Sequence, residues 1–127
     1  MVTRAMRVLI VDDDETTLLL TRRRLEAEGH SVEVRSAAIG TTNAVRTFKP
    51  DVVLVDVGLP AMTGYELAKL LRGSSPRSRL VLFSGRERTE LATRAREVGA
   101  IGFIHKSDSA RIVPLLEAML RDAARRG

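Results

Sequence analysis

Apolar and polar positions along this chain divide it into short apolar runs and longer mixed segments. Five short runs of four or five residues, three of them almost wholly valine, isoleucine and leucine, favour strands over helices by their length and β-branching. The mixed segments between them end at helix stop signals such as Gly29 and Gly99, or before Pro50. Strands are predicted near 7–11, 32–35, 51–55, 80–83 and 102–105, and helices near 15–28, 37–48, 63–73, 87–98 and 108–124.

This alternation of strand and helix predicts the architecture. The first, third and fourth strands are apolar almost throughout, as central strands of a parallel sheet are when both faces are covered. Five βα units joined by right-handed crossovers form a three-layer, doubly wound α/β sandwich around a five-stranded parallel sheet. No repeat or linker interrupts the pattern, which predicts a single domain over 1–127.

Two helix starts carry local signals. Thr63 and Glu66 have the spacing of a capping box, although Gly64 between them weakens the first turn. Pro114 falls within the first turns of the last predicted helix, where proline is tolerated only near the helix start. The last helix is therefore expected to begin late or to bend.

Composition bounds the class of protein. The 127 residues are 44% hydrophobic, which is typical of a globular domain, and no apolar run is long enough to cross a bilayer. The start of the chain lacks the apolar core of a secretory signal. The absence of cysteine excludes a disulfide framework and a thiolate metal site. These features favour a cytoplasmic protein with no membrane partner.

The net charge of +5 comes mainly from arginine, including Arg22-Arg23-Arg24. Such charge can attract nucleic acid. The basic residues are scattered, however, and the four aromatic residues are too few for a platform that stacks bases. A solvated surface is the preferred interpretation. The alternative, a nucleic-acid-binding module, would require binding that weakens steeply with salt.

Four strand ends carry the candidate chemistry. Asp12-Asp13-Asp14 follows the first strand, Asp56 the third, Ser84 the fourth and Lys106 the fifth. In a parallel sheet these ends meet at the carboxyl edge, where open α/β folds bind ligands. Clustered carboxylates favour a divalent cation, and a hydroxyl with an ammonium favours a phosphoryl group. The combination predicts phosphoryl chemistry.

Each residue has a predicted role. Asp56 is the candidate nucleophile, because an ionised carboxylate can attack phosphorus without a general base. Asp12 and Asp13 are candidate Mg²⁺ ligands, and Lys106 and Ser84 would contact phosphoryl oxygens. Taken singly, each is more often a turn, cap or surface residue, and Asp14 is best explained as a helix cap. The prediction rests on the four matched strand ends together.

The sequence resembles the receiver domain of bacterial two-component response regulators from about residue 5 to 122. The resemblance implies a flavodoxin-like fold with strand order 2-1-3-4-5. It also implies that Asp56 is the phosphoacceptor and that a histidine kinase or histidine phosphotransfer protein is the donor. The residues that carry it are Asp12-Asp13-Asp14, Asp56-Val-Gly-Leu-Pro60, Gly64, Phe83-Ser84-Gly85, Gly102-Phe103 and Lys106.

The resemblance also assigns a metal and a switch. It implies Mg²⁺ held mainly by Asp13, with Asp12, Asp56 and the backbone carbonyl of Gly58. Ser84 and Phe103 become a switch pair that reshapes the face formed by the fourth helix, fifth strand and fifth helix. The only reactions implied are self-phosphorylation and self-dephosphorylation, so a conventional enzyme is not expected.

The resemblance leaves partners and chain organisation open. The downstream partner is an effector protein or the rest of a longer regulator, and the last helix is the place to look for a homodimer. The chain is either a single-domain regulator or a receiver cut from a longer protein. Leu18, Leu19 and Leu20 cannot all lie on one core stripe, so at least one should reach the surface, where it could contact the phosphodonor.

Two further alternatives remain. A pseudo-receiver would keep the fold as a phosphorylation-independent interaction module, against which the intact acidic, hydroxyl and lysine positions argue. A haloacid-dehalogenase-like phosphatase would carry a second aspartate two residues after the nucleophile, where this chain has Gly58. The sequence also departs from the receiver pattern at Ser107, where proline is frequent, and at Phe103, where tyrosine is frequent.

Overall fold

The alternation of strands and helices is present in the computed structural model, which describes residues 5–60, 62–74 and 77–126. A 3₁₀ turn, Lys106–Arg111, follows the last strand. The strands are β1 Arg7–Val11, β2 Ser31–Arg35, β3 Val52–Val55, β4 Arg79–Ser84 and β5 Gly102–His105. The helices are α1 Glu15–Ala27, α2 Thr41–Phe48, α3 Gly64–Ser74, α4 Arg88–Val98 and α5 Ile112–Arg125.

The five strands form one parallel sheet in the order β2-β1-β3-β4-β5, as predicted. Alternate side chains of each strand enter opposite cores. Val8 and Ile10 belong to the core under α1 and α5, whereas Leu9 and Val11 belong to the core under α2, α3 and α4. All four side chains are fully buried, which explains why β1 is apolar throughout.

Side-chain caps and one glycine determine where three of the helices begin. Asp14 caps α1, since its carboxylate accepts the Thr16 N–H at 3.3 Å. The α3 capping box forms as predicted: Thr63 Oγ1 accepts the Glu66 N–H, and Glu66 Oε1 accepts the Thr63 N–H, each at 3.1 Å. The prediction that α2 begins near residue 37 was wrong. Gly40 has a left-handed φ of 87°, and the helix begins one residue later.

The last helix begins late, as Pro114 indicated. The 3₁₀ turn occupies 106–111, and Pro114 is the third residue of α5, where its missing N–H costs no helical hydrogen bond. In α1, Leu18 is buried, while Leu19 and Leu20 are 47% and 45% exposed, which confirms that part of this leucine run reaches the surface. None of the helices in the described ranges is both long and apolar enough to span a membrane.

Candidate functional site

The pairing of β1 with β3 brings two aspartates to one point of the sheet edge. Val11 and Val55 are register partners, and the next residues are Asp12 and Asp56. The Asp56 N–H donates to the Val11 carbonyl at 2.9 Å, which fixes the start of the loop after β3. Oxygens of Asp12, Asp13 and Asp56 lie within 4.8 Å of one another. Asp12 and Asp56 are buried and Asp13 is exposed, so the cluster opens to solvent on the Asp13 side.

Lys106 reaches the cluster from the end of β5, the edge strand of the sheet. It follows β5, and its ammonium lies 2.8 Å from Asp12 Oδ2 and 3.4 Å from Asp56 Oδ1. The side chain is 28% exposed, so the cation is partly withdrawn from water. One ammonium therefore sits between two buried carboxylates.

The electrostatics of the cluster are unbalanced in favour of negative charge. Burial raises the pKa of Asp56, the charge of Asp12 raises it further, and Lys106 offsets only part of this. Burial alone would lower the pKa of Lys106, but the carboxylates of Asp12 and Asp56 outweigh it and raise that pKa. When ionised, three carboxylates and one ammonium carry a net negative charge, which would stabilise a bound cation.

The donor set fits a hard divalent cation. Asp12 Oδ1 accepts the Asp14 N–H at 2.9 Å, while the buried Oδ2 accepts no hydrogen bond from the part of the chain that is described. Its close neighbour is the Lys106 ammonium, an ion-pair contact without hydrogen-bond geometry. Carboxylate oxygens of this kind are what Mg²⁺ prefers. Gly58 is exposed beside the cluster, and a Cβ there would lie 3.8 Å from Asp56 Oδ2.

Ser84 ends β4 with its side chain buried beneath the following loop. Its exposure is 3%, and its Oγ accepts the Arg86 N–H at 3.2 Å. The hydroxyl proton is not used in that contact and can be donated elsewhere. Phe103, on the neighbouring strand, is half-buried against the core under α2, α3 and α4. Both predicted switch residues thus lie on the side of the sheet that α4 covers.

Two features of the site were missed by sequence reasoning. Gly64 was taken as a weakness of α3, but a Cβ there would collide with the Asp56 carbonyl oxygen, so only glycine lets the helix start against the acceptor loop. The Gly64 N–H donates to the Val57 carbonyl at 3.0 Å. The second feature is a contact between Tyr65 and Glu90 that joins α3 to α4. No spacing rule within one helix could have predicted a pair on two helices.

With this fold and cluster in place, comparison with known families is decisive. Residues 8–117 match the response regulator receiver domain, and the chain belongs to that family. The receiver domains of response regulators are signalling modules of two-component systems. The predicted flavodoxin-like order 2-1-3-4-5 and the predicted family are both confirmed.

In two relatives, the region that matches this chain is part of a longer protein. The chain is 30% identical over 123 residues to protein-glutamate methylesterase/protein-glutamine glutaminase 6 of Anaeromyxobacter dehalogenans, covering 95% of this chain and 35% of that protein. It is 25% identical over 118 residues to response regulator MprA of Mycobacterium tuberculosis, covering 92% of this chain and 51% of that protein. The chain therefore spans a third to a half of these two relatives.

A solved structure matches from end to end. The CheY-like response regulator receiver domain protein of Methanospirillum hungatei JF-1 is 26% identical with a TM-score of 0.86, covering 98% of this chain and all of that one. NtrX of Brucella abortus is also 26% identical, with a TM-score of 0.87 over 97% of this chain but 28% of that one. Receiver domains with this fold occur both as whole solved chains and as parts of larger ones.

Proposed function

We propose that this chain is a working phosphoacceptor receiver in which Asp56 takes a phosphoryl group from a histidine kinase or a histidine phosphotransfer protein. The observation that carries the proposal is the cluster itself, with the Asp56 carboxylate among Asp12, Asp13 and the Lys106 ammonium. A carboxylate oxygen attacks phosphorus, the phosphorus–nitrogen bond of the donor breaks, and the donor imidazole leaves with the electron pair and takes a proton. The product on Asp56 is an acyl phosphate.

The other residues of the cluster hold the phosphoryl group. The Lys106 ammonium, already 3.4 Å from Asp56, neutralises one phosphoryl oxygen, and the Ser84 hydroxyl donates to another. Asp12, Asp13, Asp56 and the Gly58 backbone carbonyl would hold Mg²⁺. When bound, Mg²⁺ supplies positive charge that reduces the repulsion between the phosphoryl oxygens and the carboxylates. Burial and the charge of Asp12 raise the pKa of Asp56, so added positive charge at the cluster would favour its ionised, nucleophilic form.

Phosphorylation is coupled to shape through Ser84 and Phe103. A phosphoryl group on Asp56 draws the Ser84 hydroxyl toward it, the loop before α4 moves, and the half-buried Phe103 ring turns inward. The face formed by α4, β5 and α5 then changes. This is a local charge event that biases a two-state element.

The surface of α1 suits the donor. Leu19 and Leu20 are about half exposed on a helix that begins directly after the acidic cluster, and Arg22 and Arg23 are exposed beside them. Exposed leucines beside two arginines, of which Arg22 is paired with Glu26, fit a donor that offers an apolar surface with acidic residues next to it.

The proposal also covers the domain's extent, its location and its downstream partners. Residues 1–127 form one receiver domain in the cytoplasm, whose downstream partner is an effector or the rest of a longer regulator. A second copy could bind through α5. The match to the methylesterase covers 35% of that protein, so we assign no methylesterase activity to this chain and propose only self-phosphorylation and self-dephosphorylation.

Beryllofluoride tests the proposal, because it mimics a phosphoryl group on a carboxylate and does not hydrolyse. Wild-type protein is heated with Mg²⁺, with beryllofluoride, and with both, beside an Asp56→Asn variant. The proposal expects the unfolding temperature to rise most with both ligands together, since ligands that bind only the folded state stabilise it. The Asp56→Asn variant should show no beryllofluoride increment. An equal increment in both proteins, or none in the wild type, contradicts the proposal and favours a pseudo-receiver.

A further inference from the structure

Tyr65 and Glu90 connect α3 to α4. The Tyr65 hydroxyl donates to Glu90 Oε2 at 2.8 Å, and Arg86 Nη1 lies 3.4 Å from the same oxygen. The Arg94 guanidinium lies over the Tyr65 ring, 4.9 Å from its centroid. We call the Tyr65–Glu90 hydrogen bond, with these two arginines around it, the α3–α4 latch.

The latch is attached to the phosphoryl site at both ends. On one side, α3 begins at Gly64, whose backbone lies directly against the Asp56 carbonyl, so Tyr65 is anchored beside the acceptor. On the other side, Arg86 lies between Glu90 and Ser84. Its side chain reaches Glu90, and its backbone N–H donates to Ser84 Oγ at 3.2 Å. A continuous series of contacts therefore runs from the switch hydroxyl to α3.

The contacts of the latch are stronger than those of an ordinary surface pair. A hydroxyl that donates to a carboxylate makes a charge-assisted hydrogen bond. Burial, the Glu90 hydrogen bond and the Glu90 charge together raise the pKa of Tyr65 to about 12, so the hydroxyl remains a proton donor to Glu90 well into the alkaline range. The partly buried ring is held between Arg94 and the core under α2, α3 and α4. The latch therefore resists movement of the first turn of α4.

We propose that Tyr65 and Glu90 are positioning residues for Ser84: they hold the loop before α4 in its unphosphorylated position and so set how readily the receiver switches. The proposal rests on the proposed function. When the Ser84 hydroxyl turns toward a phosphoryl group on Asp56, Arg86 follows, Glu90 withdraws from Tyr65, and the latch opens. On this proposal the latch contacts stabilise the unswitched state, so removing them raises the population of the switched state.

The test compares rates of phosphorylation by acetyl phosphate with Mg²⁺, followed by intact mass. Tyr65→Phe removes the hydroxyl and keeps the ring, and Glu90→Gln removes the charge. The matched control is Glu26→Gln, which breaks the i,i+4 pair with Arg22 on α1, a pair whose exposures of 44% and 47% resemble the 54% and 40% of Arg86 and Glu90. We expect both latch variants to be labelled about two- to five-fold faster than wild type, because labelling draws on the binding-competent fraction. The control should match wild type.

A spectroscopic readout separates positioning from simple structural support. Tyr65 is the only tyrosine and the chain has no tryptophan, so intrinsic emission reports this one hydroxyl. We expect beryllofluoride with Mg²⁺ to change the emission of the wild type as the carboxylate leaves the hydroxyl, and to change that of Glu90→Gln far less.

The outcomes distinguish the two proposals. If wild type is labelled while both latch variants are labelled at the same rate or more slowly, the latch is overturned and the phosphoacceptor role stands. The same conclusion follows if beryllofluoride raises the unfolding temperature of the wild type without altering its tyrosine emission. If no chain is labelled, the phosphoacceptor role fails and the latch, as a restraint on switching, fails with it.

Discussion

The Lys106 ammonium lies closer to Asp12, at 2.8 Å, than to the proposed acceptor Asp56, at 3.4 Å. The lysine therefore neutralises the buried carboxylate of Asp12 as well as facing the acceptor. Asp12 Oδ2 accepts no hydrogen bond from the described part of the chain, so it depends on this cation or on a metal. The two partners make Lys106 a structural as well as a chemical residue.

Replacing Lys106 with methionine should destabilise the metal-free protein. The change leaves two buried carboxylates facing each other, and removing one partner of a fully buried ion pair costs about 3–5 kcal/mol. Since Lys106 is 28% exposed, we expect a smaller loss, about 1–3 kcal/mol, partly restored by Mg²⁺. Urea unfolding with and without Mg²⁺ measures both effects. If the metal-free variant were as stable as the wild type or more stable, Lys106 would not be stabilising the fold by neutralising Asp12 and Asp56.

Asp56→Asn should stabilise the metal-free protein near neutral pH. Burial and the Asp12 charge raise the pKa of Asp56, so its charged form is disfavoured by folding. Below the usual carboxyl pKa, Asp56 is protonated in both the folded and the unfolded state and does not affect the free energy of unfolding. As the pH rises from the usual to the raised pKa, the unfolded state ionises first, so the wild type loses stability. We expect a gain on the order of 1 kcal/mol at pH 7, typical of functional-site replacements, which shrinks as the medium is acidified. Denaturant unfolding across this pH range tests it, and a gain that is constant with pH would contradict the cause given.

Gly64→Ala should destabilise the protein although alanine favours helix. The added Cβ meets the Asp56 carbonyl, and overpacking of this kind costs about 1–3 kcal/mol. Gly73→Ala is the matched control in the same helix, because nothing lies within 4 Å of its added Cβ. That variant should gain about 0.5–1 kcal/mol from helix propensity. The idea fails if the two variants change the urea midpoint in the same direction.

Asp13→Asn should weaken Mg²⁺ binding with little effect on folding. Asp13 is the exposed member of the cluster, so its loss removes a carboxylate ligand without opening the core. We expect affinity to fall about ten-fold or more, since even outer-shell partners are worth that much. Asp14→Asn serves as the control, because asparagine also caps a helix well. Calorimetric titration decides, and equal affinities in the two variants would exclude Asp13 as a ligand.

The sheet could be predicted because its signals are local and strong. Strands such as β1 and β3 are buried on both faces, so their sequences are uninterrupted apolar runs that can be recognised without the structure. A helix boundary set by one backbone angle was harder to predict. The second helix starts at Thr41 because Gly40 has a left-handed φ, whereas Ala37 and Ala38 before it favour helix by composition. Pro114 gave a usable warning for α5, since its effect on a helix interior is steric and general.

The acidic cluster could be predicted because parallel strands place their carboxyl ends at one edge. Asp12, Asp56 and Lys106 meet there through sheet register, which follows from strand order. The close approach of Gly64 to Asp56 and the pairing of Tyr65 with Glu90 depend on how helices settle against the sheet and each other. No periodic pattern within one segment encodes such packing, so it became visible only in three dimensions.

The most direct test of the central claim is the intact mass of the protein after incubation with acetyl phosphate and Mg²⁺. Asp51→Asn serves as the control beside Asp56→Asn, because Asp51 lies before β3, at the opposite end of that strand from the cluster. The account predicts one phosphoryl adduct on the wild type and on Asp51→Asn, dependent on Mg²⁺ and missing from Asp56→Asn. An adduct of equal yield on Asp56→Asn, or none on the wild type, would contradict it.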